Sequence, residues 1–256
     1  MPAQQVDVVI VIDASASMKP CIDQLRQHLR ELVKPLQGTA GIIRFGLVAV
    51  NALKNGSGKG SIYNIETLAA NGGEESLDAI YGSGSDQRDH FTQDTEKILK
   101  SLGDIQLRGD ENNLLALDVA LDHPFGPVST TKRVVALFSD ERLETGIDGA
   151  RPGRLIPALI EKIHKRRIKL FCALPMSEWA QELSQANGSE IEAVDGTLGL
   201  TSVDFRSLLS QMGKSISVSS IQGGLEESYS RALFGQDRWS SSNDFDSGTA
   251  DKTQVN

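Results

Sequence analysis

Near its N-terminus the chain reads Val6-Asp7-Val8-Val9-Ile10-Val11-Ile12-Asp13-Ala14-Ser15-Ala16-Ser17-Met18. The first half is rich in Val and Ile, which is typical of a central strand in a parallel sheet that helices cover on both faces. The second half ends this apolar run with one carboxylate and two hydroxyls at alternate positions. Ligands of open α/β sheets bind beyond the carboxyl ends of the strands, so Asp13, Ser15 and Ser17 are predicted to lie at a binding site. Their oxygen atoms suit a hard cation such as Mg²⁺, Mn²⁺ or Ca²⁺ better than zinc or copper.

The rest of the chain alternates between helical and strand-like spacing of its apolar residues. This spacing predicts helices over 18–37, 91–102, 112–121, 155–163, 177–186 and 205–216, and further strands over 41–50, 61–68, 132–139, 168–174 and 190–194. The polar connection at 51–60 is too short for a parallel crossover and predicts an antiparallel pair. We therefore expect an α/β fold with a doubly wound, mostly parallel sheet, helices on both faces and one antiparallel edge strand.

The composition favours one folded domain followed by a tail. A length of 256 residues is enough for one large α/β domain with an ample core. Nothing that resembles a linker interrupts the first part of the chain, so we expect the domain to cover residues 1–220. From Ser217 onward the composition shifts toward Ser, Gly, Gln and Asp. Residues 221–256 are therefore predicted to form a disordered, Ser- and Asp-rich tail.

Charge and hydropathy argue against several classes of partner. The net charge of −8 predicts repulsion from nucleic acid and from anionic membranes. The basic segment at 162–167 suits the last turn of a helix, where cations meet the helix dipole favourably. No apolar run is long enough for a transmembrane helix, and no signal peptide precedes the first strand, so we expect a cytoplasmic protein. Cys21 and Cys172 are predicted to be buried thiols in a reducing compartment.

Two later segments carry further oxygen ligands. Gly109-Asp110-Glu111 opens a predicted helix, and Phe138-Ser139-Asp140 ends a predicted strand. Together with Asp13-Ala14-Ser15-Ala16-Ser17, these segments resemble the von Willebrand factor A family, over roughly residues 6–215. The resemblance, which is to bacterial-type members, implies the doubly wound fold expected above. It also implies a metal-ion-dependent adhesion site.

In that family three loops supply the ligands of the cation. By resemblance, Ser15 and Ser17 would bind it through their hydroxyls, Asp13 directly or through a water, and Asp140 from the third loop. The second loop usually offers Thr, which this chain lacks. We expect Asp110 to replace it, with Glu111 in reserve. Glu141 and Arg142 follow the third acid, where the family often has Gly, and could contact the metal or the partner.

The resemblance implies an interaction module rather than an enzyme. In the family one coordination position is left for an Asp or Glu of a protein partner. Free-standing bacterial members resemble components of systems that contain a kinase, a phosphatase or an ATPase. Electrostatics supports a cation independently, because Asp13, Asp110 and Asp140 would repel one another if nothing neutralised them.

Two other interpretations remain open at this point. The Asp and Ser residues after the first strand could be an ordinary helix cap, and Asp110 or Glu111 could simply favour a helix N-terminus. The acids that end two strands also suggest a Mg²⁺-dependent phosphotransferase or phosphatase with an aspartate nucleophile. In such enzymes a second Asp handles the proton. Here Ser15 takes its place, and a hydroxyl is a poor general acid.

Overall fold

The computed structural model describes residues 5–38, 40–54, 61–67, 90–107, 112–145, 152–186, 188–194 and 199–221, and of 51–54, 61–67 and 218–221 the backbone alone. Asp110 and Glu111 lie outside these residues. The same holds for most of the connection at 51–60 and for 222–256. The predicted domain boundary and tail therefore remain predictions.

Within the described ranges, six strands form one sheet. They are β1 Gln5–Asp13, β2 Ile42–Lys54, β3 Ser61–Thr67, β4 Thr131–Phe138, β5 Ile168–Pro175 and β6 Glu190–Val194. Their order across the sheet is β3-β2-β1-β4-β5-β6. Strands β2, β1, β4, β5 and β6 run parallel, and β3 pairs with β2 in the antiparallel direction. The central position of β1 places the carboxyl ends of β1 and β4 side by side.

Helices connect the strands and cover the sheet. They are α1 Lys19–Leu36, α2 Thr95–Asp104, α3 Asn113–Leu121, α4 Pro152–Arg166, α5 Glu178–Leu183 and α6 Phe205–Ile221, and 3₁₀ turns form at Ala16–Met18 and Gly199–Ser202. None of these helices is both long and apolar enough to cross a membrane.

One predicted helix begins later than expected. Its predicted start was residue 91, but α2 begins at Thr95, after Asp94 caps it by accepting a hydrogen bond from the Glu96 amide at 2.9 Å. Thr92 is extended because its backbone exchanges two hydrogen bonds with Phe45, at 2.7 and 2.8 Å. Pairing with β2 therefore overrides the helical spacing of the preceding residues.

The core consists of two apolar layers, one on each face of the sheet. Alternate side chains of β1 enter each layer, with Val8 and Ile10 in one and Val9 and Val11 in the other. Helices α1, α2 and α6 cover the first layer, and α3, α4 and α5 cover the second. The predicted doubly wound α/β fold, with helices on both faces, is confirmed.

Asp7 anchors the opposite end of β1 from Asp13. Its fully buried carboxylate accepts two hydrogen bonds from Arg44, at 2.8 and 2.7 Å, one from Gln5 at 2.8 Å and one from the Gly126 amide at 2.9 Å. A buried charge is tolerated when it is paired and hydrogen-bonded in this way. Asp7 and Asp13 are six positions apart on an extended strand, or about 20 Å, so the pairing of Asp7 with Arg44 is structural and remote from the site.

Candidate metal centre

The carboxyl end of β1 folds back on itself directly after Asp13. The Ser15 amide donates to Asp13 Oδ1 at 2.9 Å, and the Met18 amide donates to the Ser15 carbonyl at 3.2 Å, which closes the 3₁₀ turn. Asp13 and Ser15 are buried, whereas Ser17 is exposed. The local sequence forms this turn because Ser and Asp side chains readily hydrogen-bond nearby backbone groups.

The hydroxyls of this loop do not serve as ordinary helix caps. Ser15 precedes the 3₁₀ turn without a side-chain capping hydrogen bond, and the residue that precedes α1 is Met18. Instead, Ser15 Oγ and Ser17 Oγ lie 3.0 Å from each other. Neighbouring oxygen ligands of an octahedral Mg²⁺ ion, at about 2.1 Å from the metal, are roughly 3.0 Å apart. The two hydroxyls thus have the spacing of adjacent ligands as well as that of a hydrogen bond.

The carboxyl end of β4 brings Ser139 and Asp140 to the same place. The Ser139 hydroxyl donates to Asp13 Oδ2 at 2.9 Å. Asp140 is partly buried, and its Oδ1 atom is shielded from solvent without a hydrogen-bond donor in the described structure. Asp140 also lines a small cleft with Ser17 and Thr201. The structure therefore gathers four predicted site residues, Asp13, Ser15, Ser17 and Asp140, at one end of the sheet.

The pKa of Cys21 reflects the negative charges of this region. Its thiol lines the same cleft and is almost fully buried. Burial raises the pKa of Cys21, and the negative charges of Asp140 and Asp13 raise it further. Burial alone raises the pKa of Cys172, which lies in the other layer of the core. Both thiols are free and buried, as predicted.

Comparison with known proteins agrees with this architecture. No family model matches the chain, and neither does any curated protein. Among solved structures, a von Willebrand factor type A protein from Catenulispora acidiphila has a TM-score of 0.51 at 15% identity, over 84% of this chain and 43% of that one. The SpRpn10 VWA domain has a TM-score of 0.52 at 11% identity, over 82% of this chain and 97% of that one. The chain has the von Willebrand factor A fold.

At these identities the likeness concerns the fold alone and assigns no role to individual residues. The segments predicted to be the first and third ligand loops follow β1 and β4, and the predicted second loop precedes α3 in the sequence. Asp110 and Glu111 belong to the second loop and lie outside the described residues. Within the described part of the chain, no group of three or more His, Cys, Asp or Glu side chains is placed to hold a metal. The described part of the site consists of two carboxylates and two hydroxyls.

The third loop continues with two exposed charges. The side chains of Glu141 and Arg142 are both exposed, directly after Asp140. The Glu141 amide donates to the Ser139 hydroxyl at 3.1 Å, so the backbone turns back toward β4. The backbone of this loop is thus held close to Ser139, and the side chains of Glu141 and Arg142 are open to solvent.

Sequence reasoning missed two buried polar residues behind the site. Asn113 begins α3 and is fully buried, and its side-chain amide donates to the Ser139 hydroxyl at 2.8 Å. Ser139 was part of the quoted Phe-Ser-Asp motif but had no assigned role. The sequence does contain a signal for Asn113, since apart from Asp118 it is the only polar residue of the helix Asn113–Leu121.

Proposed function

We propose that the protein is a divalent-cation-dependent interaction module. The cation would be held at the carboxyl ends of β1 and β4, and an Asp or Glu of a protein partner would complete its coordination. The observation that carries this proposal is the convergence of two hydroxyls, 3.0 Å apart, with two carboxylates that come from distant parts of the chain.

The buried oxygen of Asp140 fits this proposal. A buried acceptor without a donor costs free energy, and a buried charge costs more. Among the described residues, Asp140 forms no ion pair with Lys or Arg, in contrast to Asp7 with its Arg44 partner. A cation beside Asp140 would provide the missing positive charge and would also relieve its repulsion with Asp13.

The donor set selects the type of ion. Hydroxyl and carboxylate oxygens suit Mg²⁺, Mn²⁺ and Ca²⁺, and the spacing of Ser15 Oγ and Ser17 Oγ is compatible with adjacent ligands of Mg²⁺. Ser15, Ser17 and Asp140 would bind the ion, and Asp13 would bind it directly or through a water. Asp110, with Glu111 in reserve, would add a ligand from the second loop. A bound cation supplies a positive charge with an open coordination position, for which carboxylate is the natural ligand.

The environment of Asp13 disfavours the phosphotransferase alternative. An aspartate nucleophile must reach the phosphorus atom of its substrate, but Asp13 is only 1% exposed. Both of its oxygens also accept hydrogen bonds from the protein, from the Ser15 amide and the Ser139 hydroxyl. Such a carboxylate is suited to holding a loop and a cation in position. We therefore propose binding rather than turnover.

The exposed charges of the third loop would contribute to partner choice. A guanidinium beside the cation would attract the same carboxylate that the cation binds, and it would speed the encounter with an acidic surface. Arg142 is the candidate for this role, and Glu141 would disfavour partners that carry additional acids nearby.

Calorimetric titration of the full chain with Mg²⁺ and Mn²⁺ tests the cation site. We expect binding by the wild type, loss of binding in Asp13→Ala, and unchanged binding in Asp23→Asn. The control residue Asp23 is a half-exposed acid on α1 that pairs with Lys19 at 2.7 Å. Equal binding by Asp13→Ala, or no binding by the wild type, would refute the proposal.

Two further assays test the functional class. A pull-down with the full chain should recover a partner in Mg²⁺ and lose it in a chelator. Hydrolysis of a generic phosphomonoester with Mg²⁺, abolished by Asp13→Asn, would instead support the phosphotransferase alternative.

A further inference from the structure

A chain of buried hydrogen bonds joins the start of α3 to the carboxylate of Asp13. Asn113 Nδ2 donates to Ser139 Oγ at 2.8 Å, and Ser139 Oγ donates to Asp13 Oδ2 at 2.9 Å. All three residues are at most 1% exposed. These hydrogen bonds therefore lie in a water-excluded region behind the loop that follows β1.

The direction of these hydrogen bonds follows from the groups around Asn113. Its side-chain nitrogen lies 3.2 Å from the carbonyl oxygen of Arg142 and 3.5 Å from that of Glu141. Carbonyl oxygens only accept hydrogen bonds, so the amide nitrogen must be the atom that faces them. Ser139 then accepts from Asn113 and from the Glu141 amide, which leaves its single proton for Asp13.

This arrangement connects the start of α3 with the first and third loops of the proposed site. Asn113 follows the second loop by two residues, its amide holds the third loop through the Arg142 carbonyl, and Ser139 extends the connection to the first loop. Meanwhile the Oδ1 atom of Asn113 is buried without a donor in the described residues.

We infer that Asn113 is a positioning residue for the cation, which acts through Ser139 to orient the carboxylate of Asp13 and to hold the loop that carries Asp140. This inference rests on the proposed function. Mg²⁺ requires near-ideal octahedral geometry, so the orientation of each ligand matters. Groups that orient metal ligands through hydrogen bonds typically change metal affinity by about 10- to 100-fold when they are removed.

Titration calorimetry with Mg²⁺ and Mn²⁺ on the full chain tests the inference. Asn113→Leu keeps the branched shape of the side chain but removes both donors, and Ser139→Ala removes the hydroxyl. We expect each to weaken cation binding by about 10- to 100-fold. Because the two residues share the hydrogen bond that leads to Asp13, the double variant should lose less cation affinity than the two single losses combined.

Asn112→Ala is the matched control. Asn112 precedes Asn113 and caps α3 by accepting a hydrogen bond from the Leu115 amide at 3.0 Å, but it has no hydrogen bond to Ser139 among those the structure describes. Its loss should lower the denaturant midpoint without changing cation affinity by more than about twofold. If α3 had only a structural role, cation affinity would instead fall in parallel with stability in every variant, Asn112→Ala included.

The outcomes separate the inference from the function on which it rests. If the wild type binds the cations and Asn113→Leu binds them within twofold of it, the inference is overturned and the proposed function stands. Additive losses in the double variant would also overturn the inference, because Asn113 would then not act through Ser139. A wild-type chain that binds neither cation overturns both. Asn113→Ala, which adds no apolar bulk, replaces Asn113→Leu if circular dichroism shows that the latter is unfolded.

Discussion

Replacing Asp140 with Asn distinguishes a cation ligand from a carboxylate that only supports the fold. The Oδ1 atom of Asp140 is buried and lacks a donor among the described residues, and its charge acts together with that of Asp13 on Cys21. Removing this charge relieves the repulsion between the two acids when no cation is present. In a chelator, the variant should therefore be as stable as the wild type or more stable by up to about 1 kcal/mol.

Adding Mg²⁺ should reverse this order. An ion at 100 times its dissociation constant stabilises the folded state by about 2.7 kcal/mol. For a domain of roughly 200 residues, each kcal/mol corresponds to about 2–4 °C, so the wild-type Tm should rise by roughly 5–10 °C. The Asn variant has lost a charged ligand, so its Tm should rise by less than about 2 °C.

Thermal unfolding of the full chain, followed by circular dichroism in chelator and in increasing Mg²⁺, measures both effects. Asp23→Asn is the control, because it removes one negative charge from a side chain that is 51% exposed. It should retain the whole Mg²⁺-dependent rise. A loss of about 2 kcal/mol or more by Asp140→Asn in chelator would identify a structural carboxylate. An undiminished Mg²⁺ effect in that variant would refute its role as a ligand.

Three further predictions concern stability and are measured by urea unfolding. Asp7→Ala should lower the free energy of unfolding by about 3–5 kcal/mol, because it leaves the largely buried guanidinium of Arg44 without its carboxylate, but it should leave cation affinity unchanged. Burial lowers the pKa of His123 to about 3, so the unfolded chain binds more protons below its own pKa of about 6.5. Stability should therefore fall by about 1.4 kcal/mol per unit as the pH drops from 6.5 toward 3, and His123→Gln should reduce this slope. Gly213→Ala should destabilise by about 1–3 kcal/mol despite the helix preference of Ala, because the new Cβ would lie 2.5 Å from the Leu32 carbonyl oxygen. A neutral result for Asp7→Ala, an unchanged pH slope or a gain in stability for Gly213→Ala would each contradict the packing described for that residue.

The fold was predictable because its signals are local. The β-branched run of β1 and the helical spacing of α1 each indicate their element without knowledge of the rest of the chain. Where a distant contact intervened, the prediction was wrong by a few residues. The start of α2 moved to Thr95 because Thr92 pairs with Phe45, which lies 47 positions earlier in the sequence. Nothing in the local pattern signals that pairing.

The features of the candidate site likewise divide into those that the local sequence indicates and those that depend on contacts between distant segments. The sequence by itself determined that Asp13, Ser15 and Ser17 follow a buried strand and that Asp140 ends another, since these features depend on neighbours in the chain. Only the tertiary structure decided that Ser139 donates to Asp13, because β1 and β4 are adjacent in the sheet although 126 positions separate the two side chains. Likewise, only the packing of α3 brings Asn113 to Ser139. Apolar periodicity acts within one element, whereas the partner of a buried polar group depends on strand order and helix placement, which no single segment of the chain specifies.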